Sequence, residues 1–409
     1  MRIGIDCHNL EGQRTGVGRY VWNILKQIPE LPVAPTSPRL RGAGNDQLPI
    51  ELFLYFKNEV PDDIRTLYEY SHDREDITKV WNWNRWNFRL LGGKSNALFK
   101  HWALPQAAAR DKVDVLFCPN YVLPLPLFFS RKYTLTRPSS SRCIRTAVTI
   151  HDIIYEARPN EYSWPSWVDK ILLKWASKQS VKHADIIFAP SEFTKSEILK
   201  FYNVNPEKII VTPLAPDPIF RKLGLANQRY LLFVGSIFNR RFIPQYIQAF
   251  TKFAKPCIDF RFLIIGKNYT KPFQSIGALV AKANQEFGRE AVIWREYASD
   301  EELVRLYNGA FATLWLSSYE GFGLPILESM ACGTPVVTSR AGSLPEIAGD
   351  AAIYVAHPEN PLEISKALAR LISDSPYRND LISRGLARAA QFSWQKCAIT
   401  TLDKLRALR

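Results

Sequence analysis

"SSYEGFGLPILESMACGTPVV", residues 317–337, decides how the rest of the chain is read. Just ahead of it, ATLWL (312–316) is a short apolar run that predicts a buried strand. Pro325 suits the first position of a helix and Gly333 suits its end. Val336, Val337 and Thr338 then predict the next strand. Glu320 therefore falls in a loop after a strand, and Glu328 about one turn into a short helix. Gly321 and Gly323 leave backbone N–H groups open beside the helix N-terminus, where the dipole favours an anion. An ionised carboxylate only accepts hydrogen bonds, so the two glutamates suit hydroxyl groups. Phosphate and sugar hydroxyls together describe a nucleotide sugar.

Outward from this stretch, strand-like apolar runs alternate with helix-length segments, which predicts parallel α/β layers. The first half offers strands at 3–6, 52–56, 113–118, 146–150, 186–189 and 209–212. The second half offers 230–234, 261–265, 291–294, 312–316 and 336–338. Between them, PLAPDPIFRKLGLANQ (213–228) is proline-rich, lacks a clear period and reads as a linker. Residues 34–49 read as a surface loop or insertion. The expected division is 1–216, 217–390 and a C-terminal helix over 391–409 that crosses back to the first domain.

The chain has 409 residues, enough for two ordinary domains, and 46% of them are apolar, enough for proper cores. No run approaches eighteen apolar residues, and MRIGIDCHNL enters a strand pattern without a secretory signal. The six cysteines are scattered, which predicts reduced thiols and a cytoplasmic protein, without a disulfide framework or zinc site. The net charge of +14 is dispersed: 29 Lys and Arg face 23 Asp and Glu in residues 1–220, and 24 face 16 thereafter. Such a balance is compatible with anionic substrates or an anionic membrane surface. No nucleic-acid-binding motif accompanies it, so nucleic acid is not expected as a partner.

Ligands of open α/β sheets bind beyond the carboxyl ends of strands. After 3–6 comes RTGVGRY, where Gly16 and Gly18 allow close approach of a phosphate. After 146–150 come His151 and Asp152. After 230–234 comes GSIFNRR, opening on Gly235 and closing on Arg240 and Arg241, whose forked guanidinium groups match phosphate oxygens. Each alone has an ordinary structural reading. Together they point to a cleft between two Rossmann-like domains.

At this point the chain resembles the family 4 glycosyltransferases of the GT-B fold, from IGID and RTGVGRY to the FSW segment at 392–394. The match is densest over YEGFGLPILESMACGTPVVTSRAGSLPEIAGDAAIYV (319–355). The resemblance implies an α/β protein with two Rossmann-like domains facing a central cleft. It also implies a retaining transferase of nucleotide sugars that needs no metal or other cofactor, and no Asp-x-Asp occurs in the chain. Glu328 would bind the ribose hydroxyls and Glu320 the transferred sugar. The backbone of Phe322, Gly323 and Leu324 would hold sugar and phosphate, and Arg240 and Arg241 would neutralise the diphosphate. Gly16 and Gly18 match a loop that closes over the donor, and His151 the family's strand-end histidine. The family usually has Arg-Lys-Asn where this chain has Arg-Arg-Phe, which makes the geometry at Arg241 an open matter. No second carboxylate is evident for a double displacement, so same-face attack is expected.

The motifs do not read the nucleobase. GDP-mannose is expected on general family likeness, with UDP-sugars and a non-catalytic nucleotide-sugar binder as alternatives. A lipid-linked saccharide or polysaccharide acceptor is expected, with peripheral contact at the inner membrane face. Residues 121–150 hold five Lys and Arg and no acid, and 165–182 set Lys170, Lys174, Lys178 and Lys182 beside Trp167, Ile171 and Trp175. An apolar face in the core is the simpler reading of that helix. Trp81, Trp83 and Trp86 suit core, sugar or lipid alike.

Overall fold

The computed structural model describes residues 1–12, 14, 16–28, 50–72, 86–129, 143–162, 164, 166–226, 228–255 and 259–408. The segment 34–49, Trp81, Trp83 and residues 130–142 of the basic run lie outside the described residues. Two all-parallel sheets dominate. The first comprises β1 (Arg2–Asp6), β2 (Glu51–Phe56), β3 (Trp86–Leu90), β4 (Val115–Cys118), β5 (Arg145–Thr149), β6 (Ile186–Ala189) and β7 (Ile209–Val211). Its strand order is β3-β2-β1-β4-β5-β6-β7. The second comprises β8 (Tyr230–Val234), β9 (Arg261–Ile265), β10 (Val292–Arg295), β11 (Ala312–Trp315), β12 (Val336–Ser339) and β13 (Ala352–Val355), in the order β10-β9-β8-β11-β12-β13. Fully buried strands such as VLFC in β4 and YLLFV in β8 explain the unbroken apolar runs, because helices cover both faces.

Two strands exceed the sequence expectation, and both are edges. In β3 (WNFRL), Asn87 and Arg89 break the apolar run because one side of an edge strand is only half covered. There Trp86 is buried, packs near the rings of Tyr68 and Phe88, and is core.

Seven helices matter below: α1 (Gly16–Gln27), α2 (Trp167–His183), α3 (Glu192–Phe201), α4 (Ile243–Ala254), α5 (Asp300–Gly309), α6 (Leu324–Ala331) and α7 (Trp394–Arg406). The Ser393 side chain caps α7, which packs on α1 and β6 of the first sheet and buries Leu402 and Leu405. Trp394 lies 6.3 Å from the ring of Tyr20 on α1. One buried apolar cluster thus runs from the first sheet through Leu214, Ala215 and Trp394 to the second. Among the described residues no helix is long and apolar enough to cross a membrane.

Candidate active site

In the second sheet, β8 and β11 are neighbours although β9 and β10 intervene in sequence. That pair is the switch point where a crevice opens beyond the carboxyl ends. The loop after β8 carries Gly235, Arg240 and Arg241; the loop after β11 carries Glu320 and leads into α6 with Glu328. The topology therefore brings the basic and acidic groups together.

Arg241 donates from Nε to Glu320 Oε1 at 2.8 Å and from Nη2 to Oε2 at 3.1 Å. Its Nη1 donates to the Ser236 carbonyl at 2.7 Å, and its guanidinium stacks 4.4 Å from the Trp315 ring. All three nitrogens are committed, so Arg241 orients Glu320. Arg240 differs. Its guanidinium lies 3.8 Å from Glu320 and 4.3 Å from the Phe238 ring, and its buried Nε has no hydrogen-bond partner. Burial lowers the pKa of Arg240 against the opposing pull of Glu320. A buried guanidinium short of acceptors is a ready anion site. Burial alone would raise the pKa of Glu320, but Arg241 and Arg240 outweigh it and hold the carboxyl below its usual value.

Gly235 explains how Arg241 fits. Its φ is +147°, and a Cβ there would sit 2.7 Å from the Trp315 ring and 3.2 Å from Arg241 Nη1. The Arg-Arg-Phe departure also acquires a meaning. Phe242 follows the single turn that carries both arginines and adopts the left-handed conformation, φ 55°, ψ 31°. Asn tolerates that region better than a bulky side chain.

Glu328 is 6% exposed and accepts from Tyr307 Oη on α5 at 2.9 Å. Its other oxygen lies 3.8 Å from Arg19 on α1, which also pairs with Asp300 at the start of α5. Burial raises the pKa of Glu328, opposed by Arg19 and Tyr307. Beside it opens a cavity of about 650 Å³ lined by Arg19, Tyr297, Asp300, Leu324, Glu328 and Trp394, among others. Gly323 (φ +117°) takes the N-cap position of α6, and Pro325 lies in its first turn. The Phe322 carbonyl is already bonded by Ser343 Oγ at 2.6 Å, which fixes the loop.

Gly16 and Gly18 lie inside the first turn of α1 and not in a loop ahead of it. A Cβ on Gly18 would meet the Asn9 carbonyl at 2.3 Å, whereas Gly16 has open space around it. Gly18 is thus required by the protein's own packing, and Arg14 and Arg19 are the residues of this motif that line the cavity.

The first domain meets this site directly. Ser191 Oγ and Thr194 Oγ1 donate to the Gly321 carbonyl at 2.7 and 3.1 Å. Glu346 accepts from the Glu192 and Phe193 N–H groups at the start of α3, and Glu161 bonds Ser318. A Cβ on Gly321 would lie 2.0 Å from the His151 carbonyl, so the two loops touch backbone to backbone. His151 Nε2 bonds the Pro119 carbonyl at 3.0 Å, which makes Nε2 the protonated nitrogen and leaves Nδ1 an acceptor. Burial drives its pKa down to about 4, so the ring is neutral at pH 7.

Asp152, for which the sequence reading assigned no part, is a carboxylate on this side of the cleft. Burial raises its pKa, while Arg240 is close enough to lower it and Glu320 to raise it further. Arg19, Asp152, Ser191, Asp300 and Tyr307 were missed as site residues. Arg19 and Asp152 adjoin residues that were singled out; nothing local marks the other three. Among the described residues no group of three or more His, Cys, Asp or Glu side chains is arranged to hold a metal ion.

The chain matches two family models, glycosyl transferases group 1 over residues 217–388 and Glycosyltransferase Family 4 over residues 59–218. It is 31% identical over 338 residues to O-antigen chain mannosyltransferase B of Escherichia coli, covering 78% of this chain and 79% of that protein. It is 25% identical over 313 residues to the serotype-specific mannosyltransferase WbdA of Escherichia coli, covering 72% of this chain but only 38% of that longer relative. The solved structure of Alr3699/HepE from Anabaena, in complex with UDP and glucose, superposes with a TM-score of 0.69 at 16% identity, covering 100% of both chains. Two Rossmann-like domains closing on a shared cleft define a glycosyltransferase of the GT-B fold. The chain belongs to the group 1, family 4 glycosyltransferases.

Proposed function

We propose that the chain transfers mannose from GDP-mannose, with retention of configuration and without a metal, to a lipid-linked saccharide or polysaccharide. The observation that carries the reading is the pairing of a buried, under-bonded Arg240 with the Arg241-oriented Glu320 at the switch point, eight residues ahead of Glu328. The relatives named as mannosyltransferases support the sugar. Ribose hydroxyls would donate to Glu328, the diphosphate would lie against Arg240 and the N-terminus of α6, and the hexose would lie against Glu320.

As the bond from C1 to the phosphate oxygen breaks, positive charge builds on the sugar and negative charge on the departing diphosphate. Arg240 meets that negative charge at full strength only in the transition state, which is how it lowers the barrier. The acceptor oxygen bonds to C1 on the same face, and its proton passes to the leaving phosphate oxygen. Neutral His151 and Asp152 line the acceptor side. A covalent glycosyl-enzyme trapped on Asp152 would replace this with double displacement.

The test is thermal stabilisation with GDP-mannose, UDP-glucose, GDP and UDP, for wild type and Glu328→Ala. Bound ligand raises the melting temperature by mass action. A shift with the guanosine series that Glu328→Ala abolishes is expected. A shift with the uridine series alone sinks the GDP reading. Binding without any mannosyl transfer to an acceptor mixture favours the non-catalytic alternative. Undiminished turnover after chelation is the result expected of a metal-free mechanism.

A further inference from the structure

Large exposed apolar side chains are scattered over most of the molecule, but α2 gathers five: Trp167 (74% exposed), Val168 (42%), Ile171 (57%), Leu172 (57%) and Trp175 (42%). Among the described residues no other helix carries more than two. At about 100° per residue, the five fall within one arc of about 140°. The expectation that α2 turns its apolar face into the core is overturned here. What α2 buries is Ser177, Ser180 and Val181, on its other side. Farther along the outward arc come Lys178 and Lys182, which form no ion pair among the described residues. Lys170 and Lys174 border the arc, Lys174 paired with Glu156 at 2.8 Å and Lys170 lying 5.8 Å from the Trp164 ring.

We propose that this face of α2 docks on an anionic lipid bilayer. The proposal deepens the reading of a membrane-borne acceptor and rests on that reading for its purpose. Its physics rests on the helix. Tryptophans at both ends of the apolar stretch suit the headgroup boundary, aliphatic side chains between them suit the acyl edge, and lysines suit anionic headgroups. Each lysine near such a surface strengthens binding by about fivefold. A second copy of this chain fits the face less well. Two such faces together would oppose lysine to lysine, and Asp169 is the helix's only acid. A soluble glycan would stack on the tryptophans but would not account for Val168, Ile171 and Leu172.

The position is apt. Ser166, which caps α2, follows five residues after Glu161, and Glu161 bonds Ser318 beside Glu320. That is at most about 20 Å of chain. A bilayer held against α2 would present a lipid-linked acceptor close to the cleft.

The experiment is co-sedimentation with vesicles of phosphatidylcholine, with and without phosphatidylglycerol. Two variants accompany the wild type: Trp167→Ser/Ile171→Ser/Trp175→Ser and Lys178→Glu/Lys182→Glu. Wild type is expected on the anionic vesicles, with affinity reduced about tenfold or more in each variant and weakened by salt. Nucleotide-induced thermal shifts are expected to be equal in all three proteins, which shows that the variants fold. Loss of the donor reading would appear as vesicle binding without any nucleotide shift, and would leave docking supported. Equal vesicle binding by the apolar variant overturns the proposal, as does equal binding to neutral vesicles. A dimer in sedimentation velocity that the apolar variant abolishes, with no vesicle binding, assigns the face to self-association instead.

Discussion

Two adjacent arginines have separate tasks, and the difference is measurable. Arg241→Lys keeps the charge but loses the fork that grips Glu320 and the Ser236 carbonyl. Arg240→Ala removes the buried cation whose Nε has no hydrogen-bond partner. Loss of a transition-state donor typically costs about two to three orders of magnitude in rate. Arg240→Ala is therefore expected to lower kcat by about that much with little change in KM. Arg241→Lys is expected to misplace the sugar and change KM as well, by steady-state kinetics on a mannosyl donor. His151 supplies a second test. The unfolded chain takes up its histidine proton near pH 6.5, whereas the folded ring does so only near pH 4. This group therefore removes stability as pH falls from 6.5 to 4, by at most about 1.4 kcal/mol per pH unit, and the loss is complete below 4. Buried Asp152 and Glu328, with raised pKa values, act in the opposite sense above the usual carboxylate range. Comparison with His151→Gln, by denaturant titration across that range, isolates the histidine slope.

At the scale of single elements, the turn that carries Arg240 and Arg241 ends on strained backbone at Phe242 just before α4. A left-handed residue costs roughly 1–2 kcal/mol, least for Gly and Asn and most for β-branched side chains. Phe242→Asn is therefore expected to be more stable than Phe242→Val by about 1 kcal/mol or more, judged by chemical denaturation. Equal stabilities would show that packing and not φ governs the position. The short helix α6 illustrates the complementary case. Its Pro325 and Gly333 were legible because they act locally, one presetting φ and the other supplying φ +76° past the end.

At the scale of the whole molecule, the cleft is shut by polar contacts between the domains. Glu346 receives two N–H groups at the start of α3, a cap made by the other domain. Such a cap, aided by the helix dipole, is worth about 1 kcal/mol. Glu346→Ala is expected to shift the balance toward an open cleft by about fivefold. That would be seen as a larger radius of gyration in small-angle scattering and a raised donor KM. Unchanged scattering and KM would assign Glu346 to local capping alone. Gly321 belongs to the same contact, since no side chain fits between it and the His151 carbonyl. The motif glycine thus serves the contact between the domains.

The sequence by itself determined the parallel α/β class, most of the strands and the residues that gather at the second sheet's switch point. Those signals are local: apolar runs, proline and glycine punctuation, and a dense block at 319–355. The edge strand β3 escaped because Asn87 and Arg89 interrupt the apolar run that burial on both faces imposes, whereas β13 (AIYV) is apolar throughout and carries that signal. Only the tertiary structure separated Arg240 from Arg241, since hydrogen-bond saturation is a property of neighbours and not of residue type. It also brought Arg19 to Asp300 across 281 positions and Tyr307 to Glu328 across 21. And it turned the tryptophans of α2 outward, because amphipathic spacing fixes that a helix has two faces while packing decides which one is covered.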